Sequence, residues 1–170
     1  MSDQGMIELL VPGFYKAAIQ LQDANTYDRI SIPGCGITGE YGAPDVPVKT
    51  LPVRVPLGHE CQVSVDVLES AEVTGMMVAP LQPPPPDGKF EFPEPEFQKD
   101  TSVYSDDAYY PASHLVDVQD IKIRARRFLL IRVALAKFNP AQKTTRFATS
   151  LAVRIKVGAP ADAPVAVPPP

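Results

Sequence analysis

The chain has 170 residues, enough for one domain that buries about 70% of the surface its unfolded chain exposes, so folding requires neither a metal nor a disulfide. A formal net charge of −4 argues against a nucleic-acid partner, which calls for a basic patch, and no run of about 18 apolar residues exists to insert in a membrane. There are 20 prolines, well above an average usage of about 5%, and proline breaks helix interiors and central strands, so short strands joined by turns are expected.

The start, MSDQGMIELL, has no basic region followed by an apolar one; either the protein is cytoplasmic or its signal peptide is not in this chain. Tyr15 to Asp23 is the one stretch open to a helical reading. Ile30 and Ile32 lead into IPGCGITGEYGAPDVPV (32–48), which holds Gly34, Gly36, Gly39 and Gly42 but no His, no Ser and no phosphate-binding loop. Leu51, Val53 and Val55 alternate with Thr50, Pro52 and Arg54. Pro52 cannot donate to a ladder, which predicts an edge or bulged strand. Cys61, Val63, Val65 and Val67 alternate with Gln62, Ser64 and Asp66 in a second strand pattern.

Residues 80–111 change character: proline and acidic residues dominate, and few apolar positions alternate. A loop of this length in a compact domain is often functional. Ile121, Ile123 and Ala125 then form a short alternating run. Arg127 to Phe138 is apolar on both faces, as in a strand covered on both sides, and FNPAQK (138–143) reads as a turn. From Thr145 to Val157 the odd positions are largely apolar and the even ones largely polar. GAPADAPVAVPPP (158–170) is an Ala/Pro linker that favours polyproline II. The expected architecture is all-β: an antiparallel β-sandwich over residues 1–157, with the long loop 80–111 and the linker 158–170.

The chemistry is sparse. His59 and His114 stand in no metal or triad spacing and read as surface or strand-end residues. Ser102, Ser105 and Ser113 lack a nucleophile-elbow context. Glu94, Glu96, Asp106 and Asp107 have no EF-hand spacing and read as a solvated acidic loop. Lys122, Arg124, Arg126 and Arg127 read as the polar face of a strand, and Tyr109 and Tyr110 as anchors pinning a loop end. Cys35 and Cys61 allow one disulfide; two unpaired thiols fit equally. No enzyme, metal or cofactor is indicated.

Tyr27 to Leu57 resembles the N-terminal propeptide of gingipain-like cysteine peptidases, peptidase family C25. The shared pattern is a strand, a Gly-containing loop, then Tyr41, Gly42, Pro44, Asp45, Pro47 and Val48, and later Val55 and Pro56. YYP at 109–111 and FNPAQKTTRFATSLAVRIKV at 138–157 extend the resemblance, with Phe138 where the family places Tyr. The resemblance implies a sandwich of the jelly-roll or carbohydrate-binding-module kind. It implies a secreted, non-catalytic domain that keeps a downstream C25-type catalytic domain latent and assists its folding. It also implies that the long loop is the inhibitory segment, with Lys99, Lys89 and Asp100 as its candidate residues. The competing expectation is an extracellular binding or adhesion module, with glycans as a candidate ligand that the absence of Trp weakens.

Overall fold

The structure, a computed structural model, describes residues 3–36, 39–84 and 95–161. Its elements in chain order are β1 (Asp3–Leu10), β2 (Tyr15–Gln20), β3 (Thr26–Ser31), β4 (Val48–Val55), β5 (His59–Thr74), α1 (Thr101–Ser105), β6 (Leu115–Ile123), β7 (Arg126–Ala134), β8 (Ala136–Asn139) and β9 (Thr144–Pro160). All strand ladders are antiparallel. One sheet has the order β1-β9-β5, with β8 also pairing β9; a second has the order β4-β7-β6; β2 and β3 form a two-stranded ribbon.

The two larger sheets face each other across one core. Leu129, Ile131 and Val133 of β7 meet Leu151, Val153 and Ile155 of β9 there, all buried. These residues stand at alternate positions, as a half-buried pleat requires. A second cluster lies at one end, where Ile30, Val46, Met76 and Val78 pack on Phe138 and Phe147. Phe14 stacks on Phe147 with ring centroids 3.9 Å apart. The central strands are the two with the clearest apolar patterns, β7 and β9, and β4 is an edge, as Pro52 foretold. β9 runs on to Pro160, beyond the expected end at 157, and Ala161 N–H donates to Gly58 O at 2.6 Å. The remaining linker residues lie outside the described residues.

Two local expectations are corrected. Tyr15–Gln20 is an edge strand paired with β3, not a helix. Its alanines suit a helix, but pairing with β3 and the inward Ile19 decide the outcome. The loop 80–111 contains a short helix, α1, capped by Asp100.

Cys35 and Cys61 are both free. Both pack against the main core, and neither is bridged in the structure.

The histidines serve the fold. His59 Nδ1 meets Gly158 O at 2.9 Å, and His114 Nδ1 meets Ala134 O at 2.7 Å. Burial pushes the His114 imidazole below its ordinary value of 6.5. The folded state therefore binds the proton later than the unfolded chain as pH falls, so His114's contribution is full above 6.5 and shrinks below it. The stability of the wild type minus that of His114→Asn, followed by urea unfolding, is expected to fall between pH 7 and pH 5. A difference that stays flat over that range overturns the assignment.

Arg127 exceeds its expected role as a solvated strand-face residue. Its guanidinium donates to Asp120 from Nε at 3.0 Å and from Nη2 at 2.6 Å, and from Nη1 to Pro56 O at 3.1 Å and His59 O at 2.6 Å. One side chain thus ties β6 and β7 to the β4–β5 turn.

Candidate functional site

The two described arms of the long loop, residues 80–84 and 95–100, meet beside the glycine-rich segment. Residues 42–45 lie beside 79–81: Asp45 N–H donates to Ala79 O at 2.9 Å, Leu81 N–H to Ala43 O at 2.8 Å, and Gly42 N–H to Leu81 O at 2.7 Å. This fixes the outgoing arm. The returning arm is fixed by Asp100 N–H, which donates to Gly42 O at 2.9 Å. Gly42 therefore holds both arms, one through its N–H and one through its C=O. Its φ is +87°, and a Cβ there would stand 3.1 Å from Asp100 N, so only glycine fits.

Gln82 closes the base between the arms. Its side-chain amide accepts from Gln98 N–H at 3.0 Å and donates to Gln98 O at 2.6 Å and Pro80 O at 3.2 Å. A primary amide in this position stands in for a strand's own backbone, offering both donor and acceptor.

Lys99 is half-buried and turned onto the domain. Its Nζ donates to Tyr27 Oη at 3.2 Å and lies 5.4 Å from the Tyr27 ring centroid and 4.9 Å from that of Tyr104. Both rings are held: Tyr27 O–H donates to Asp23 at 2.6 Å, and Tyr104 O–H donates to Val78 O at 2.6 Å. Burial raises the pKa of both phenols, so they remain donors at neutral pH. Asp23 is held below the ordinary carboxylate range by hydrogen bonds from Tyr27 and Asn25, which outweigh its desolvation. Losing the ammonium from Lys99→Met removes two ring contacts and one hydrogen bond, for an expected cost of about 1–2 kcal/mol in thermal unfolding. A change under about 0.3 kcal/mol means that the ammonium is effectively solvated.

Asp100 is also committed. Its carboxylate accepts from the N–H groups of Ser102 at 3.0 Å and Val103 at 3.2 Å, and from Ser102 Oγ–H at 2.5 Å, capping α1. The Ser102 and Val103 donors hold its pKa below the ordinary value. Beyond α1, Asp107 accepts from Asn139 at 2.9 Å, and Tyr110 exchanges backbone bonds with Phe138 at 2.8 Å each way. Tyr110 O–H donates to Glu40 at 2.7 Å, and Arg146 lies 4.3 Å over the Tyr109 ring. The tyrosine pair is the anchor that its sequence suggested.

Of the three residues singled out for the loop, Lys99 and Asp100 are thus in the returning arm, engaged with the domain itself. Lys89 lies outside the described residues. Sequence reasoning missed Gln82, Gln98, Tyr27 and Tyr104, whose partners are far away in the chain. The segment YGAPDVPV, singled out in the sequence, serves as architecture: burial pushes the Asp45 carboxyl up, with Arg29 pulling against it, and its backbone holds the outgoing arm. Among the described residues no group of His, Cys, Asp and Glu is placed to hold a metal ion.

Comparison with known proteins gives one family and a set of solved structures. The family described as Propeptide_C25 matches residues 2–166. A search of the curated proteins finds no significant match. Among solved structures, the fold matches one from a complex of the pro- and mature domains of Porphyromonas gingivalis RgpB, with a TM-score of 0.77 at 16% identity, covering 89% of this chain and 78% of that one. It also matches one bearing on the zymogenic latency of gingipain K from Porphyromonas gingivalis, with a TM-score of 0.76 at 18% identity, covering 92% and 88%.

Proposed function

The chain belongs to the C25 peptidase propeptide family, and from that premise we propose that it is the domain that keeps a gingipain-like cysteine peptidase latent and assists its folding. The observation that carries this reading is the family match over nearly the whole chain, joined by a fold shared with pro-domain structures. The partner is a C25-type catalytic domain, and the pair works outside the cytoplasm. The domain is non-catalytic in this reading: among the described residues its histidines and Asp100 are occupied by structural hydrogen bonds.

The segment between Gln82 and Gln98 is the part that reaches the catalytic domain, and the Gly42, Gln82 and Lys99 contacts hold its base. A loop tethered at both arms loses less entropy when it docks than one attached loosely. The test is to replace residues 83–97 with Gly-Ser-Gly and assay the variant against the cognate catalytic domain. Because Gln82 already contacts Gln98, the short link spans the base and the domain should stay folded. Inhibition is expected to weaken by about two orders of magnitude, or roughly 3 kcal/mol. Unchanged inhibition by a folded variant would show that the loop is not the contact. Lys99→Met in the intact chain then separates two roles. If Lys99 anchors the arm, Lys99→Arg restores much of the inhibition of any C25 enzyme; if the ammonium enters a specificity pocket, the outcome follows the enzyme's preference for Lys or Arg.

A further inference from the structure

β7 is apolar on both faces, and among the described residues the fold covers only one of them. Leu129, Ile131 and Val133 point into the main core. Phe128 and Leu130, on the other face, belong to neither core cluster and stay partly exposed. The registers set Pro52 and Gln119 beside Leu130, and Arg54 and Ile121 beside Phe128. In the next row Ile123 pairs with Arg126, and both are exposed. The outer face of the β4-β7-β6 sheet thus has an apolar centre with arginines at one end. Neither the Arg54 nor the Arg126 guanidinium has a hydrogen bond or ion pair among the described residues. Together with Pro56 and the exposed Leu57 they line a groove of about 390 Å³. The other sheet neutralises its own exposed arginines: Arg154 pairs with Asp66 at 2.9 Å and Arg146 with Glu72 at 3.1 Å.

The uncovered face runs on to the base of the long loop. Arg132 stands at its other end, and a Cβ on Gly39 would lie 3.9 Å from Arg132 Nη2. The exposed Tyr41 and then Gly42, which holds both arms, follow directly in the chain. Three strands about 4.8 Å apart and eight residues of about 3.4 Å each make a face of roughly 400 Å². That is about half of the roughly 800 Å² each partner gives to a stable interface, so the face and the adjoining arms together approach the full size.

We propose that this face is a second docking surface for the C25-type catalytic domain, met by a patch that is apolar at its centre and sets carboxylates against Arg54 and Arg126. The proposal rests on the latency reading above. Aromatic side chains and arginine are the residues that most often anchor such interfaces, and a guanidinium pairs best with a carboxylate, in a two-pronged bond. A second copy of this face is a poor match: Arg54, Arg126 and Arg132 stand against one carboxylate, Asp117, which shares the face with Gln119. The roles then divide. The loop blocks the cleft, and the face supplies affinity.

The test makes Ile123→Asp and, separately, Arg54→Glu with Arg126→Glu in the full chain. Binding to the cognate catalytic domain is measured by surface plasmon resonance, beside inhibition of peptide hydrolysis. Each variant should weaken binding by about tenfold or more. Inhibition at saturating domain should stay complete, because the loop is unchanged. Met6→Asp is the control: Met6 and Ile123 are both 56% exposed, but Met6 lies on the outer side of the other sheet, and its variant should bind as the wild type does. Losses below about threefold from both variants, or an equal loss from Met6→Asp, overturn this face as the docking surface. Incomplete inhibition at saturation overturns the division of roles. A lower urea midpoint in either variant shows the chain's own residues covering the face, and wild-type self-association that the variants abolish shows a second copy there; either overturns the proposal. If the wild-type chain neither binds nor inhibits, the latency reading fails and takes this surface with it. If the wild type binds and the variants bind equally well, only the surface is lost.

Discussion

Gly42→Ala is expected to destabilise the domain by about 2–5 kcal/mol, from two separable causes. The first is backbone strain: at φ +87° an L side chain costs about 1–2 kcal/mol. The second is overlap. The new Cβ would stand 3.1 Å from Asp100 N and 3.4 Å from the Lys99 backbone. These are backbone atoms, so they cannot swing aside as a side chain would, and over-packing of this kind costs about 1–3 kcal/mol. The returning arm must shift and stretch the 2.9 Å bond from Asp100 N–H to Gly42 O. Gly39→Ala is the control. Its φ is +92°, but its nearest neighbour is the flexible Arg132 Nη2 at 3.9 Å, so it carries the strain without the overlap. Urea unfolding of both variants isolates the second cause. Limited proteolysis of Gly42→Ala should also find the 82–99 region more open than the loss of global stability explains. Equal effects at Gly39 and Gly42 contradict the two-arm assignment.

Phe138→Ala is the second large effect, expected to cost about 3–5 kcal/mol. Phe138 is fully buried in the end cluster, so truncating it leaves a cavity among packed side chains. For a chain of this size that is a fall in melting temperature of roughly 6–20 °C. The consequence extends beyond the core. The Phe138 ring meets the Tyr104 ring edge-on with centroids 6.3 Å apart, and Tyr104 is one of the two rings under Lys99. Removing Phe138 should therefore loosen the anchor of the returning arm. In a double-mutant cycle, Lys99→Met should cost less in the Phe138→Ala background than in the wild type by about 0.5 kcal/mol or more. Strict additivity means that Tyr104 holds its place without Phe138.

Strong periodicity was readable, and single long-range contacts were not. β9 and β7 are central strands with long apolar patterns, and their apolar faces are the buried ones. β1 was missed because its outward side carries Met6 and Leu10 as well as Glu8, so its inward Ile7 and Leu9 do not stand out. α1 has five residues, too short for any helical period, and its one signal is the cap at Asp100. The candidate site was harder still. A proline-rich loop is visible in the sequence, but what holds its base is not: Lys99 meets a tyrosine 72 positions away, and Gln82 meets Gln98 across the loop. The family pattern YGAPDVPV marked the right segment without revealing that Gly42 is the hinge between the two arms.

The place of β9 has a consequence for how the chain is made. It is the last of the described strands in chain order, yet β1, β5 and β8 all pair with it. Asp3 finds its partner only at Val157. At roughly 5–20 residues per second, β1 waits about 10–30 s after leaving the ribosome before that partner exists. Until then β1, and the 16-residue β5 once it is made, lack the neighbour that β9 will be. Long unpaired strand edges invite pairing with other chains. Such contacts, far apart in sequence, also form slowly. The charged residues spaced along β5, Asp66, Glu69 and Glu72, give those waiting edges like charge from one nascent copy to the next, while Arg154 and Arg146 arrive on β9 to neutralise Asp66 and Glu72 once the correct strand takes its place.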